Sequence, residues 1–183
     1  MPAKLITAPL EHPVTLAEAR QHLRATSIDE DALILALIYA AVEHAENFIS
    51  GVLITQTWDL SLDVFPGAEI ELPKAPLQSV TSVKYIDLDG VQQTVVSADY
   101  QVDAIREPGR IKLVPTASWP SVKEQLNAVT IRFVAGYGLA AAVPFQIKAA
   151  ILLLVQYHEQ RNANEKVLAA VERLLWPYRF VRF

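Results

Sequence analysis

The residues most open to a chemical reading are Gly136-Tyr137-Gly138-Leu139-Ala140-Ala141, a Gly-x-Gly-x-x-Ala between an apolar run from Val129 and a helix-like pattern. Strand, glycine turn and helix in that order is the setting in which backbone amides hold the pyrophosphate of a dinucleotide. The rest of such a site is missing. A dinucleotide fold needs a second parallel strand with an acidic residue at its end, whereas the chain after His158 reads as one more short helix. Pro144 starts its helix only after the turn is over, away from the two glycines. The glycines are therefore expected to relieve backbone strain where a strand turns into a helix.

Other constellations fail in similar ways. His158-Glu159-Gln160-Arg161-Asn162 begins like the zinc motif His-Glu-x-x-His, but Asn162 stands where the second ligand belongs. The remaining histidines, His12, His22 and His44, are scattered along the sequence. No serine sits in a Gly-x-Ser-x-Gly elbow. The carboxylate pairs Asp87 with Asp89 and Asp29 with Asp31 read as turn and cap chemistry. Cysteine is absent, which removes disulfides, thiolate zinc sites and cysteine nucleophiles. The expectation is a chain with no catalytic, cofactor or metal site, and no enzyme activity.

These residues sit on elements whose periodicity is legible. Thr15-Leu16-Ala17-Glu18 reads as a capping box for a first helix, and Ser27-Ile28-Asp29-Glu30 as the start of a second. In the second helix Leu33, Leu37, Ala41 and Ala45 recur four apart beside Ile34, Ile38, Val42 and Phe48, with Gly51 placed for a left-handed cap. This apolar stripe is wide enough to need cover from other elements, another subunit, or both. From Thr55 the period becomes two, with Trp58, Leu60, Leu62 and Val64 alternating with polar residues. Further strands are expected at 69–72, 80–87, 92–96, 100–102, 110–114 and 128–134, with a hairpin turn at Leu88-Asp89-Gly90. Ile147, Ala150, Ile151, Leu154 and Val155 mark a core-facing helix to about His158. A cap at Asn162-Ala163-Asn164-Glu165 precedes a last helix, 166–175, which Trp176-Pro177 ends. The whole predicts an α+β fold in a single domain, 1–183. It has helices at about 15–50 and 144–175, an antiparallel β region at about 55–135, and a tail at 176–183.

The 183-residue length and 52% hydrophobic content fit one ordinary cored domain. A formal charge of −4 gives no positive field to grip nucleic acid. No run reaches about 18 uninterrupted apolar residues, and MPAKLITAPLEHP lacks a signal peptide's apolar core. A cytoplasmic chain without membrane contact is expected.

Two features point to interaction. Trp119 lies between Ser118 and Pro120 in the loop 107–127, either as an anchor for a partner or as a lid on its own core. The tail carries Trp176, Tyr178, Arg179, Phe180, Arg182 and Phe183, alternating aromatic and basic residues. It packs on its own chain or extends to a neighbour as an added strand.

The order of segments resembles that of phage head-tail connector, or head-completion adaptor, proteins of long-tailed double-stranded DNA phages and prophages. The resemblance rests on VTLAEARQHLR, DEDALILALIYAAVEHAENFISGVLITQTW, LPKAPLQSVTSVKYIDLDG and VTIRFVAGYG with VPFQIKAAILLLVQYHEQR, from Val14 to Arg161. It implies a ring of copies, commonly twelve, beneath the portal of a filled head. Such a ring extends the DNA channel and joins a tail or head-closure protein. It further implies assembly in the host cytoplasm, passage of DNA without specific binding, and architectural roles for Gly136 and Gly138. By the same likeness, the tail from Trp176 would meet a neighbour or the portal, and the loop 107–127 would face the lumen or tail. The alternatives are an enzyme with a small-molecule pocket, or an oligomeric binding module with no viral role.

Overall fold

The structure, a computed structural model, describes residues 3–67, 69–159 and 165–180. The fold is α+β, with two antiparallel sheets and four α-helices among the described residues. Contacts divide the chain into two compact units. One is built from the segment up to Ala8 together with Thr55–Gly136, the other from Pro9–Ile54 together with Tyr137–Phe180.

The first unit holds β1 (Ala3–Thr7), β2 (Gln56–Leu62), β3 (Glu69–Glu71), β4 (Leu77–Ile86), β5 (Gln92–Thr94), β6 (Tyr100–Asp103), β7 (Arg110–Leu113) and β8 (Val129–Ala135). Its larger sheet runs β1-β2-β8-β4-β5 and its smaller one β3-β7-β6. Strand β8 lies at the middle of the larger sheet. Val129, Ile131, Phe133 and Ala135 on it are buried, alternating with half-buried Thr130, Arg132 and Val134, as a strand with one core face requires. Arg132 stands opposite Asp59 of β2 and forms a two-pronged ion pair, with both N to O distances at 2.8 Å.

One strand goes unread in the sequence and two expected strand bounds need correction. β1 escapes a pattern reading because none of its five residues is buried, so it has no apolar alternation to show. β4 begins at Leu77, not Val80, because register shifts against β8 at Leu77/Ser79 and Val80/Ser82 break its period of two. β2 ends at Leu62, which leaves Val64 exposed. The hairpin turn forms as read. The Gly90 N–H donates to the Asp87 carbonyl at 3.0 Å, and the Asp87 carboxylate accepts from the N–H groups of Asp89 and Val91.

The second unit holds α1 (Leu16–Leu23), α2 (Asp31–Ile49), α3 (Phe145–Glu159) and α4 (Glu165–Leu175). The capping box of α1 is present. Glu18 N–H donates to Thr15 Oγ1 at 3.2 Å, and Thr15 N–H donates to Glu18 Oε2 at 2.6 Å. That backbone bond from Thr15 holds the Glu18 carboxyl below its ordinary range. Ser27 caps a short 3-10 turn, Ile28–Glu30, ahead of α2. At the other end the left-handed residue is Ser50, φ 58°, and not Gly51, whose N–H reaches back to the Glu46 carbonyl at 3.1 Å. The five predicted core residues of α3 are all buried. The expected cap residues Asn162, Ala163 and Asn164 lie outside the described residues.

Gly136 and Gly138 both adopt positive φ, 123° and 130°. Side chains rarely tolerate that region, so the motif ends β8 and leads through a 3-10 turn (Ala140–Ala142) into α3 without strain. Its glycines are architectural, as expected.

Gly109 marks a tight point of the first unit. A Cβ there would lie 2.5 Å from the Leu77 Cβ, well inside contact distance. Gly109→Ala should therefore lower unfolding free energy by about 1–3 kcal/mol, the usual cost of overpacking, read as a shift in denaturant midpoint at unchanged slope.

Candidate functional site

Trp119 is engaged with its own chain. Its ring stacks on Phe65 at 4.5 Å with planes 3° apart, and its indole N–H donates to the Gly67 carbonyl. Tyr85 meets the same Phe65 ring edge-on at 6.3 Å. The surrounding loop is stitched down as well. Lys123 N–H donates to the Ile86 carbonyl at 3.0 Å, and Asn127 N–H donates to Asp63 Oδ1 at 2.7 Å. Arg110 on β7 joins Glu69 of β3 at 2.7 Å and Asp103 of β6 at 3.1 Å. The Arg110 guanidinium holds the Glu69 carboxyl below its usual range. Of the expected loop 107–127, Arg110–Leu113 is strand β7, and the part that follows is a strap fastened to the first unit, with Trp119 as one of its fasteners.

The tail residues divide between core and surface. Phe180 is 8% exposed, and its N–H donates to the Ile49 carbonyl at the end of α2, 2.8 Å away. Tyr178 O–H reaches the Gln146 side chain at 3.1 Å. Arg179 lies over both the Phe48 and Trp176 rings, at 5.6 and 5.3 Å. Trp176 is 63% exposed. Arg182 and Phe183 fall outside the described residues.

α2 carries more apolar residues than its core seam uses. Ile34, Ile38, Ala41, Ala45 and Ile49 are buried, so the core seam follows the Ile34 and Ile38 row. Of the expected Leu33 row only Ala41 and Ala45 are buried, and Leu33 itself is 57% exposed. The reason is that the helix is apolar on both sides, which leaves sequence periodicity unable to say which side faces in. Outward lie Ala32, Leu33, Leu35, Ala36, Tyr39 and Ala40, all exposed, with Tyr39 at 61%.

The fold brings together two histidines that are far apart in sequence, with the His44 and His158 rings 6.4 Å apart. His158 keeps part of its surface in water. Even so, burial first and the neighbouring His44 second push its pKa below the ordinary histidine value. Among the described residues no group of three or more His, Cys, Asp or Glu side chains is placed to hold a metal. An open cleft of about 330 Å³ is lined by His22, Leu23, Arg24, Gln156 and Glu159, where His22 Nε2 and Gln156 Oε1 are 3.2 Å apart.

This two-sheet, four-helix arrangement matches known proteins along its length. The family model for head completion protein matches residues 14–170. The chain belongs to the head completion protein family. Solved structures agree over all of this chain and 97% of theirs. The neck of an empty gene transfer agent particle, computed with C6 symmetry, contains a chain 29% identical with a TM-score of 0.81. The virion of a native gene transfer agent particle gives 30% identity and 0.79. The neck of the native particle, computed with C12 symmetry, gives 29% and 0.78. No curated protein matches the chain at a significant level. The family match takes in Trp119 and all of α2 but stops before Trp176.

The tail of this head completion protein is thus partly core, and its residues should respond differently to truncation. Phe180→Ala is expected to cost about 3–5 kcal/mol of unfolding free energy, and Trp176→Ala within about 0.5 kcal/mol, both measured by denaturant unfolding. The histidine pair predicts a pH effect. Because the folded chain holds a proton at His158 less readily than the unfolded one, acidification through about pH 6.5, the ordinary histidine value, favours unfolding. Melting temperature should fall as pH drops through that window, and His158→Gln should flatten the slope.

Proposed function

We propose that this chain is a structural connector of the junction between a phage-like head and its tail, with no catalytic role, its two units acting as one adaptor domain. Copies close into a ring, twelve in the virion, beneath the portal. The ring extends the DNA channel and receives a tail or head-closure protein. The observation that carries this reading is the full-length likeness to chains of necks solved with sixfold and twelvefold symmetry. Closed rings repeat one heterologous contact around an axis, and such a contact calls for apolar surface that the isolated chain leaves open, as α2 does.

Charge supports the same reading. DNA must slide through a neck, and each firm Lys or Arg contact to phosphate adds a salt-dependent grip. A chain with 20 acidic against 16 basic side chains supplies little such grip. The ring needs no cofactor and no membrane, and it assembles in the bacterial host cytoplasm before joining the virion.

Native mass spectrometry of the full chain, alone and mixed with the portal ring of the same particle, tests this. The expected result is a discrete complex carrying one complete ring of this chain per portal. A chain that stays monomeric beside a correctly assembled portal contradicts it.

A further inference from the structure

We infer that the outward face of α2 is a surface through which one copy of this chain docks on the next; this rests on the ring reading above. The face consists of Ala32, Leu33, Leu35, Ala36, Tyr39 and Ala40, exposed along the first half of the helix. Alanines four apart let another surface approach closely, while Leu33, Leu35 and Tyr39 supply apolar area on either side. The edge of Tyr39 is braced, since the His12 ring meets it at 4.3 Å and 80°.

The chemistry of the helix selects the occupant. Ile28–Ile49 has the length and apolar composition of a membrane span, but its inner row is committed to the core. A helix lying on an anionic lipid surface carries Lys or Arg along its polar edge. α2 has none; of its charged residues Asp31 pairs with Arg20 at 3.3 Å and Glu46 accepts from the Leu53 N–H at 2.8 Å, which leaves exposed Glu43 as the acidic group of the outward face. The same absence argues against nucleic acid. A protein surface that is apolar with a basic edge fits best, and this chain has one. At the start of α3, Phe145 is 87% exposed and Leu139 is also exposed, with Lys148 Nζ 5.7 Å from the Phe145 ring centroid. A closed ring needs two unlike patches on each copy, one for each neighbour. The apolar and acidic face of α2 and the apolar and basic patch at Leu139 and Phe145 are such a pair.

The test uses the full chain and the portal ring as template. Ala36→Glu and Phe145→Glu are each expected to keep the wild-type circular dichroism and melting temperature, because both sites are exposed, and to lose the ring in native mass spectrometry. A normal ring from either variant overturns the pairing while leaving the ring itself standing. Absence of a ring from the wild-type chain overturns the ring reading instead, and the pairing with it. Because the chain has no cysteine, Ala36→Cys provides a milder probe. Its maleimide labelling should fall by about tenfold or more on assembly, and equal labelling in both states overturns the proposal. Binding of the wild-type chain to phosphatidylglycerol vesicles, abolished by Ala36→Glu, would assign the face to lipid and overturn it as well.

Discussion

The packing of α2 is the constraint on which the helical unit depends. Its inner row, Ile34, Ile38, Ala41, Ala45 and Ile49, is fully removed from water, each isoleucine contributing about 1.5–3 kcal/mol relative to exposure. Against this helix lie α1, α3 and α4. Its C-terminal carbonyl at Ile49 receives Phe180, so the far end of the described chain is fastened to the same element. The alanines of the row keep the seam narrow, and the isoleucines fill it. What this packing leaves over, on the other side of the helix, is an exposed apolar face that includes Leu33, Leu35 and Tyr39.

The β unit is organised around β8 in a comparable way. Two neighbours, β2 and β4, bond to its two edges, and its buried side chains alternate without interruption. It ends at the glycine turn, where Gly136 and Gly138 adopt backbone angles that side chains rarely allow. A motif that resembles phosphate chemistry in one dimension is thus a solution to a backbone problem in three. The fastening of Trp119 to Phe65 and Gly67 is of the same kind, since it spends an aromatic residue on holding a strap.

How much of this was legible in the sequence follows from how local each signal is. Capping at Thr15 and Glu18, the core row of α3 and the alternation of β8 depend on residues near one another, and all were readable. β1 was not, because its place is set by backbone bonding to β2 and none of its side chains is buried. The width of the α2 stripe was visible, but its orientation was not, because both sides are apolar. The partners of Trp119 and Phe180 lie 52 and 131 residues away in sequence, at Gly67 and Ile49, beyond the reach of any periodicity. Family membership was legible in the order of segments, since order survives where single motifs are soft.

A head completion protein with one exposed apolar face on α2 and another exposed apolar patch at Leu139 and Phe145 is suited to repeating one contact around an axis. The most direct measurement of that claim is a cryo-electron microscopy map of the portal vertex from particles that contain this chain. The account predicts a closed ring of its copies against the portal, with Leu35 and Tyr39 buried at every subunit boundary. A vertex that is complete without the chain, or a ring in which α2 faces open solvent all round, would contradict it.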